Sequence, residues 1–356
     1  MQPLRVLLAS LVIFPVLTVA APSPASSVSL SSKVIGQLPD GTWLENLAVR
    51  PNGDILATLL FPYGAIYTIR QSPQGPNGLE LLANFTFVDS LGGITPVAVP
   101  RGLETYVVVG ANTTGLSQPI PGTFSAWTVT FQPTERQHVR IDKVSDMSPN
   151  SIFLNGVVSI PDVPHAVLVS DSAAGSVGHL DIQTGEFDPD AFVFPEMQPL
   201  PGSAFPLGID GIRIHDCHLY WTNAFQATIY RVALAASGYP ALGATPEMVA
   251  NLTSLARGLD DFAFDSRGNI LAATNFDNSV LYVDVSTGDA GTILGGEDDI
   301  TFAGCTSVYF GRGWAEPNIF FVSTSGGLAN PVGGNRTAGA SIVSVEMCGF
   351  ADLIAG

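Results

Sequence analysis

The chain repeats one pattern of apolar and polar positions about six times. A polar residue opens a short apolar stretch, a turn with Gly or Pro follows, and a second apolar stretch ends on a polar residue. The copies cover residues 45–58, 94–112, 155–171, 210–223, 260–275 and 306–324. Short apolar stretches joined by such turns predict antiparallel β-strands. A repeat of about 50 residues built from strands alone predicts a β-propeller. We therefore predict an all-β fold, a six-bladed β-propeller with four-stranded antiparallel blades around a central channel.

The first twenty residues, 1–20, have the composition of a secretory signal peptide. Arg5 provides the positive charge, Val6 to Val19 form the apolar stretch, and Ala20 ends a run of small residues suited to cleavage. The alternative, a membrane anchor, is disfavoured because this apolar stretch is short for a membrane span. We therefore expect a chain of the secretory pathway, secreted or held in a vesicle lumen, with no membrane as partner.

The rest of the chain divides into two parts. Residues 21–33 are rich in Ser and Pro and predict a flexible segment, whereas residues 34–356 contain all six repeats and predict a single propeller domain. Four N-glycosylation sequons agree with the secretory pathway, although each could be an unmodified turn. They begin at Asn84, Asn112, Asn251 and Asn335.

The charge of the chain restricts its partners. The formal net charge is −17 at pH 7, and it becomes −18 once Arg5 leaves with the signal peptide. A field of this sign repels nucleic acid and anionic membrane surfaces. Charged residues make up 13% of the chain and apolar residues 46%, which is typical of extensive buried sheet. We expect a monomer whose partners are small apolar molecules, with no nucleic acid partner.

The chain has three cysteines, so in an oxidising compartment at least one of them has no disulfide partner within the chain. One disulfide and one buried thiol is the arrangement we expect. Cys305 opens the sixth repeat and Cys348 follows the last strand, so we favour this pair, although pairings with Cys217 stay open. The spacing of Cys and His residues does not resemble a zinc site.

Polar residues recur where the first strand of each repeat begins and where the second strand ends. In an antiparallel pair these two points lie at the same edge. The first strand of a blade lines the propeller channel, so we expect these side chains to gather around one mouth of the channel. They are Glu45, Asn46, Asn155, Asp171, Asp210, Asn223, Asp260, Asp261, Asn275, Thr306 and Thr324.

A ring of this composition allows two kinds of chemistry. Carboxylate and amide oxygens are the ligands that Ca²⁺ prefers. Alternatively, crowding and burial raise the pKa of carboxyl groups, which can then donate protons to an organic ligand. Glu45, Asp210 and Asp260 are the candidate catalytic residues, or the metal ligands if a cation binds, because they occupy equivalent repeat positions. For any one of them, capping of a strand is the alternative.

At these residues the chain resembles the senescence-marker-protein/gluconolactonase superfamily of six-bladed propellers. The resemblance implies a divalent cation, Ca²⁺ or another, held by Glu45, Asp210 and Asp260, and a substrate contact near Asn155. The chain departs from the family pattern where Asp210 stands in place of Asn and Asp261 in place of Gly. These departures weaken the expectation of a cation.

A second resemblance rests on residues 38–50, which read Leu-Pro-Asp-Gly-Thr-Trp-Leu-Glu-Asn-Leu-Ala-Val-Arg. This stretch is similar to fungal secreted propellers, among them the hetero-Diels–Alderases of tropolone–sesquiterpenoid biosynthesis. The resemblance implies a pocket for an apolar polyene and a tropolone quinone methide, with no organic cofactor. Candidate substrate-binding residues are Trp43, Asn46, Asn155, Asp171, Trp221, Asn223, Asn275 and Phe276, with Phe61 and Phe225 as further apolar walls.

Three functions remain in competition at this point. The first is a cyclase that catalyses a stereoselective intermolecular hetero-Diels–Alder reaction between a tropolone quinone methide and a humulene-type sesquiterpene. The second is a Ca²⁺-dependent lactonase or esterase of the gluconolactonase type. The third is a secreted binding propeller that uses surface loops. The resemblance of residues 38–50 favours the cyclase, with the lactonase or esterase as the alternative.

Overall fold

The computed structural model describes residues 30–71, 75–99, 102–132, 135–312 and 318–347, with the side chains of 135–137 excepted. The predicted signal peptide and Cys348 lie outside these ranges. Within them the chain forms 24 β-strands and two short 3₁₀-helices, Pro195–Met197 and Ile300–Phe302. No helix in the described ranges is long and apolar enough to cross a membrane.

The strands form six antiparallel sheets of four strands each. Blade 1 contains β2 (Trp43–Val49), β3 (Ile55–Phe61), β4 (Ala65–Ile69) and β5 (Leu79–Asn84). Blade 2 contains β6 (Ser90–Val97), β7 (Thr105–Ala111), β8 (Ser125–Gln132) and β9 (Glu135–Asp146). Blade 3 contains β10 (Leu154–Ile160), β11 (Val163–Asp171), β12 (Ser176–Asp181) and β13 (Phe187–Val193).

The second half of the chain continues the series. Blade 4 contains β14 (Ile209–His215), β15 (His218–Asn223), β16 (Thr228–Ala233) and β17 (Glu247–Asn251). Blade 5 contains β18 (Phe262–Phe264), β19 (Ile270–Thr274), β20 (Ser279–Val283) and β21 (Ala290–Gly295). Blade 6 contains β22 (Cys305–Phe310), β23 (Ile319–Thr324), β24 (Gly339–Glu346) and β1 (Ser31–Asp40). The predicted six-bladed β-propeller is confirmed.

The ring is closed by the first strand of the chain. β1 pairs antiparallel with β24, from Ser31 opposite Glu346 to Asp40 opposite Gly339. β1 begins three residues earlier than the domain boundary expected at residue 34, so residues 31–33 are strand and not flexible segment. The reason is that β1 is a largely exposed outer strand, which pairs through its backbone and needs no apolar pattern.

The structure contradicts the predicted Cys305–Cys348 disulfide, because Cys305 is a free cysteine, and Cys348 itself lies outside the described residues. Cys217 is also free, and it is exposed where a buried thiol was expected. Cys305 is a buried free cysteine whose thiol lies 3.2 Å from the carbonyl oxygen of Phe302. Burial raises the pKa of this thiol well above its usual value.

The apolar core lies between neighbouring blades. Between blades 3 and 4, Leu168 and Val177 belong to the same buried cluster as Ile212 and Trp221. Trp221 is fully buried in this cluster and stacks on Tyr230 with 5.7 Å between ring centroids. Its predicted place in a substrate pocket is therefore wrong, because the indole belongs to the core between the blades.

A β-bulge interrupts the innermost strand near its start. The strand pairing skips two residues between Leu44 and Leu47 of β2, and the inner strands of blades 2, 3 and 4 skip two at the same place. A bulge changes the direction of the side chains that it leaves unpaired. The unpaired residues are Glu45-Asn46, Gly92-Gly93, Asn155-Gly156 and Asp210-Gly211, and Asp260-Asp261 stand at the matching place before β18.

Four fully buried hydroxyls each connect one blade to the start of the inner strand of the next blade. We call them the hydroxyl belt: Thr58, Ser170, Thr222 and Ser323. Each donates from the second strand of its blade to a carbonyl oxygen at the start of the next inner strand. The acceptors are Gly92 at 2.7 Å, Asp210 at 2.7 Å, Asp260 at 2.9 Å and Glu45 at 3.2 Å. The first three hydroxyls also accept a backbone N–H from the bulge of their own blade.

We predict that the hydroxyl belt contributes to the stability of the ring. Thr222→Val removes the donor to the Asp260 carbonyl and the acceptor for the Gly211 N–H, and so leaves two buried groups unpaired. The free energy of unfolding should fall by about 1–3 kcal/mol, measured by urea denaturation. Thr292→Val, at an exposed position of β21, is the matched control and should change it little. Equal stability of both variants would contradict the prediction.

Candidate active site

The mouth of the channel opens into a pocket with a cavity volume of about 90 Å³, and the space is about 600 Å³ when the part open to solvent is included. Inner strands and the loops at the mouth both contribute to the lining. The lining residues are Trp43, Glu45, Leu60, Ser117, Phe153, Asn155, Phe205, Leu207, Asp210, Ala224, Phe225, Gly258, Leu259, Asp260, Asn275, Phe276 and Ala329.

Three carboxyl groups form the buried side of this pocket, and we call Glu45, Asp210 and Asp260 the acid layer. Their exposed fractions are only 5%, 6% and 6%. Each accepts a hydrogen bond from a side-chain N–H. Trp43 Nε1 donates to Glu45 and Asn155 Nδ2 donates to Asp210, whereas Asn275 Nδ2 donates to Asp260 Oδ2 at 2.8 Å. The fold thus gathers residues that are more than 200 positions apart in the sequence.

Burial raises the pKa of all three carboxyl groups of the acid layer. Burial is the largest cause that raises the pKa of Glu45, to about 7; the Trp43 hydrogen bond lowers it and the charge of Asp261 raises it. Burial, followed by the charge of Glu45, raises the pKa of Asp210 and of Asp260 well above the usual value. These carboxyl groups can therefore act as hydrogen-bond and proton donors.

A fourth carboxyl group, Asp261, lies next to the acid layer in an ion pair. Arg213 Nη2 lies 2.6 Å from Asp261 Oδ2, and the exposed fractions of the two side chains are 15% and 3%. Asn46 Nδ2 donates to the same oxygen at 2.7 Å. A Cβ atom at Gly211 would lie only 2.5 Å from Asp261 Oδ1, so the bulge glycine leaves room for this pair.

Three phenylalanines form an apolar side of the pocket, and we call Phe205, Phe225 and Phe276 the aromatic wall. The ring centroid of Phe205 lies 5.5 Å from that of Phe225 and 5.6 Å from that of Phe276. Phe225 and Phe276 meet edge to face at 5.3 Å. Phe205 is 49% exposed although its neighbours are largely buried. An exposed aromatic ring at a pocket mouth favours an apolar ligand.

The structure places many of the predicted site residues in this pocket. All three predicted catalytic residues line it. So do four of the predicted substrate-binding residues and one further predicted wall residue, which are Trp43, Asn155, Asn275, Phe276 and Phe225. Their roles toward a substrate stay predictions.

Other predicted site residues face elsewhere, so their predicted place in the pocket is wrong. Asn46 binds Asp261 and Trp221 belongs to the core. Asp171 accepts the backbone N–H groups of Ile152 and Phe153 at 2.8 and 2.9 Å, so it holds a loop. Phe61 is absent from the lining of the pocket.

Asn223 also faces away from the pocket, and the register explains why. Asn223 pairs with Ile209 on β14, and the pocket is lined by the next residue, Ala224. Side chains alternate between the two faces of a strand, so an offset of one residue reverses the direction. Asn223 Nδ2 instead donates to the carbonyls of Glu196 and Gln198, at 3.1 and 3.0 Å.

Loops contribute pocket residues that the repeated sequence pattern does not indicate. Phe153, Phe205 and Leu207 line the pocket but lie between blades, outside the repeated pattern. For Phe205, the cluster of aromatic and Pro residues around 194–206 is the one sequence feature that could have indicated a place in the pocket. The position of a loop depends on tertiary contacts, which the periodic pattern of apolar and polar residues does not predict.

The predicted sequons lie at the surface. Asn84, Asn251 and Asn335 are exposed and Asn112 is half-buried. Glycosylation and secretion stay predictions.

Comparison with known proteins identifies the family. No family model matches the chain. A protein from a Phoma species with the provisional name hetero-Diels–Alderase is 30% identical over 330 residues, covering 86% of this chain and 90% of its own length. A second protein with this provisional name, from Sarocladium schorii, is 29% identical over 333 residues, covering 85% and 79%. The chain belongs to this hetero-Diels–Alderase family.

A solved structure supports the propeller fold. Regucalcin from Agrobacterium tumefaciens, described as a calcium-binding protein, superimposes with a TM-score of 0.60 over 89% of this chain and 95% of its own. The identity is 12%, so this likeness shows the fold alone. Membership of the hetero-Diels–Alderase family supports an enzyme of the cyclase type.

The acid layer of this hetero-Diels–Alderase family member does not fit the cation site that the superfamily resemblance implies. All three carboxyl groups accept N–H donors, and Asn155 and Asn275 direct their NH₂ groups, not their oxygens, at them. In the ranges described, no group of three or more His, Cys, Asp or Glu side chains is arranged to hold a metal ion. The N–H groups occupy carboxyl oxygens that a bound cation would need. They oppose protonation, because an N–H donor favours the ionised carboxylate, and burial is what raises the pKa of these groups.

We predict that Glu45 lowers the free energy of unfolding of this protein as the pH rises. The pKa of Glu45 is about 7 in the fold against an ordinary value of 4.5. The unfolded chain therefore releases this proton first, and stability falls between about pH 4.5 and pH 7. Glu45→Gln should lessen this fall by up to about 3 kcal/mol, measured by urea denaturation across that window.

The matched control is Glu297→Gln, which removes an exposed carboxylate. Its stability should follow that of the unmodified protein across the pH window. A parallel pH dependence in Glu45→Gln and the unmodified protein would contradict the raised pKa.

Proposed function

We propose that the protein catalyses an intermolecular hetero-Diels–Alder reaction between a tropolone quinone methide and a humulene-type sesquiterpene. The observation that carries this proposal is the pocket itself, which combines an acid layer on one side with an aromatic wall on another. An oxygenated, polar reactant suits the first and a hydrocarbon suits the second. The provisional names of the two relatives agree with this class of reaction.

The cycloaddition itself needs position more than chemical groups. The heterodiene and the alkene form two bonds in one step, and no proton is transferred. Holding the two reactants in contact at the reacting geometry lowers the barrier by several kcal/mol, because the translational and rotational entropy is lost on binding. The aromatic wall would hold the flat faces of the alkene against the quinone methide.

The acid layer has a role in the step that forms the quinone methide. A protonated Glu45 gives its proton to the hydroxyl of a hydroxymethyl tropolone precursor, and the C–O bond breaks to release water. The ring hydroxyl of the precursor then loses its proton to the Glu45 carboxylate. The net change is loss of one water, and Glu45 is protonated again. A pKa of about 7 suits both transfers near neutral pH.

This mechanism uses no organic cofactor and no step passes through a metal ion. The proposal also includes a monomer in the secretory pathway, with small apolar molecules as partners. The competing Ca²⁺-dependent lactonase would need a cation at the acid layer, and the hydrogen bonds of Asn155 and Asn275 do not favour one.

We predict that the purified protein accelerates formation of the humulene–tropolone adduct and raises its stereoselectivity. The reactants are humulene and a hydroxymethyl tropolone precursor, and products are measured by chiral chromatography against buffer alone. Addition of a chelator should leave the rate unchanged. Absence of any gain over buffer would overturn the proposed reaction, and complete loss with chelator would favour a metal-dependent enzyme.

Within the same assay, Glu45→Gln tests the dehydration step. The rate from the hydroxymethyl precursor should fall by about 10²-fold or more, because general acid catalysis contributes that much. With a quinone methide generated by another route, the rate of cycloaddition should change far less. Equal loss with both starting materials would place Glu45 in binding and not in proton transfer.

We predict that Phe205 contributes to binding of the hydrocarbon. Phe205→Ala removes a half-exposed ring from the aromatic wall, so KM for humulene should rise by about tenfold, with little change in KM for the tropolone precursor. Phe87→Ala, at a phenylalanine that is 65% exposed and outside this pocket, is the matched control. Unchanged KM values in Phe205→Ala would remove this side chain from the hydrocarbon site.

A further inference from the structure

A groove on blade 2 is separate from the active-site pocket. Its cavity volume is about 460 Å³, within the range of about 300–1,000 Å³ that ligand pockets have. The groove is lined by residues of β8, of β9, of the loop that precedes β6 and of the loop that follows β7. Among them are Phe87, Asn112, Ser125, Trp127, Lys143 and Asp146. The groove shares no lining residue with the pocket of the acid layer.

One N-glycosylation sequon, Asn112-Thr113-Thr114, begins in this groove. The backbone of Asn112 is held on both sides, because its N–H donates to Thr123 Oγ1 at 3.1 Å and its carbonyl accepts the Ile120 N–H at 2.8 Å. The side-chain amide of Asn112 makes no hydrogen bond within the part of the chain that the structure describes. The nitrogen to which a glycan is attached is therefore free, on a half-buried residue that lines the groove.

The other three sequons are placed differently. Asn84, Asn251 and Asn335 are exposed, and none of them lines this groove. Asn251 Oδ1 accepts the backbone N–H and the hydroxyl of Thr253, at 3.1 and 2.8 Å. A glycan at one of these three positions would begin in solvent. A glycan at Asn112 would begin inside a cavity that has room for a sugar.

The surface of the groove has the chemistry that binds an uncharged sugar. The Phe87 ring is 65% exposed, whereas Trp127 in the same groove is only 2% exposed. Ser125 Oγ donates to Asp146 Oδ1 at 2.8 Å, and Lys143 forms an ion pair with the same oxygen. The two opposite charges offset each other. A pyranose ring has an apolar C–H face that packs on an aromatic ring and hydroxyls that bond with polar side chains.

We infer that Asn112 carries an N-glycan whose first sugar, an N-acetylglucosamine, lies in this groove and packs on Phe87. The inference rests on the secretory pathway of the proposed function, where such glycans are added. The Asn112 amide nitrogen forms a bond to the first sugar carbon of a lipid-diphosphate-linked oligosaccharide. The bond from that carbon to the diphosphate breaks, the lipid diphosphate leaves with the electron pair, and the amide releases one proton. The sugar then covers a ring that is otherwise in solvent.

The first measurement is the occupancy of the four sequons in the full chain produced in a fungal or yeast host. Mass spectrometry of its peptides, before and after enzymatic removal of N-glycans, should find a glycan at Asn112. Absence of a glycan from all four sequons overturns this inference together with the secretory pathway of the proposed function. A glycan at other sequons with Asn112 unmodified overturns this inference alone. The proposed reaction has its own assay and stands or falls separately.

The second measurement is thermal melting of the glycosylated protein. Asn112→Gln removes the glycan and should lower the melting temperature by about 2 °C, because loss of even one ring contact has an effect of this order in a domain of this size. Thr114→Ala removes the same sequon while Asn112 stays in place, and it should give the same fall. Asn84→Gln, at an exposed sequon, is the matched control and should change the melting temperature little.

Phe87→Ala isolates the contact between the ring and the sugar. In this background, removal of the Asn112 glycan should change the melting temperature far less, because the sugar has no ring to pack on. An equal fall with and without the Phe87 ring overturns the inference, and so does an unchanged melting temperature in both Asn112→Gln and Thr114→Ala. A fall that depends on Phe87 and occurs in Asn84→Gln but not in Asn112→Gln also overturns it, and assigns the ring to the glycan of Asn84.

Discussion

The structure depends on the hydrogen bonds that join one blade to the start of the next inner strand. In each of four blades a buried hydroxyl of the second strand donates to a carbonyl of the neighbouring blade, as Ser170 does to Asp210 at 2.7 Å. Three of these hydroxyls also accept a backbone N–H that the bulge leaves free. The bulge is needed because it turns Glu45, Asn155 and Asp210 toward the pocket. The same bonds therefore join neighbouring blades and hold the bulges that set the direction of the site residues.

The electrostatics of the channel follow from this geometry. Placing Glu45, Asp210 and Asp260 together in a buried space disfavours three negative charges and raises the pKa of each group. The neighbouring Asp261 forms an ion pair with Arg213 at 2.6 Å. One ion pair and three protonatable carboxyl groups share a small volume. This division explains how a chain with a formal net charge of −17 can present a pocket suited to apolar reactants.

The two sides of the pocket come from different parts of the fold. The acid layer stands at the start of inner strands, where the ring fixes it, whereas Phe205 stands on the loop between blades 3 and 4. That loop is held at its ends, where Gly208 N donates to Ser172 O at 2.7 Å and Asn223 donates to Gln198. A rigid polar side and a loop-borne aromatic side suit a site that must orient two dissimilar reactants.

The repeated pattern in the sequence determined the propeller, the number of blades and the gathering of Glu45, Asp210 and Asp260, because strand periodicity and antiparallel pairing are local rules. It did not determine the direction of individual side chains at the strand ends. Asn223 and Asn275 both end a repeat, yet an offset of one residue turns the first outward and the second into the pocket. Likewise, the pairing with β24 fixes the position of β1, and the packing of the loop between blades 3 and 4 fixes that of Phe205. Those contacts join residues far apart in the chain, so only the tertiary structure could decide them.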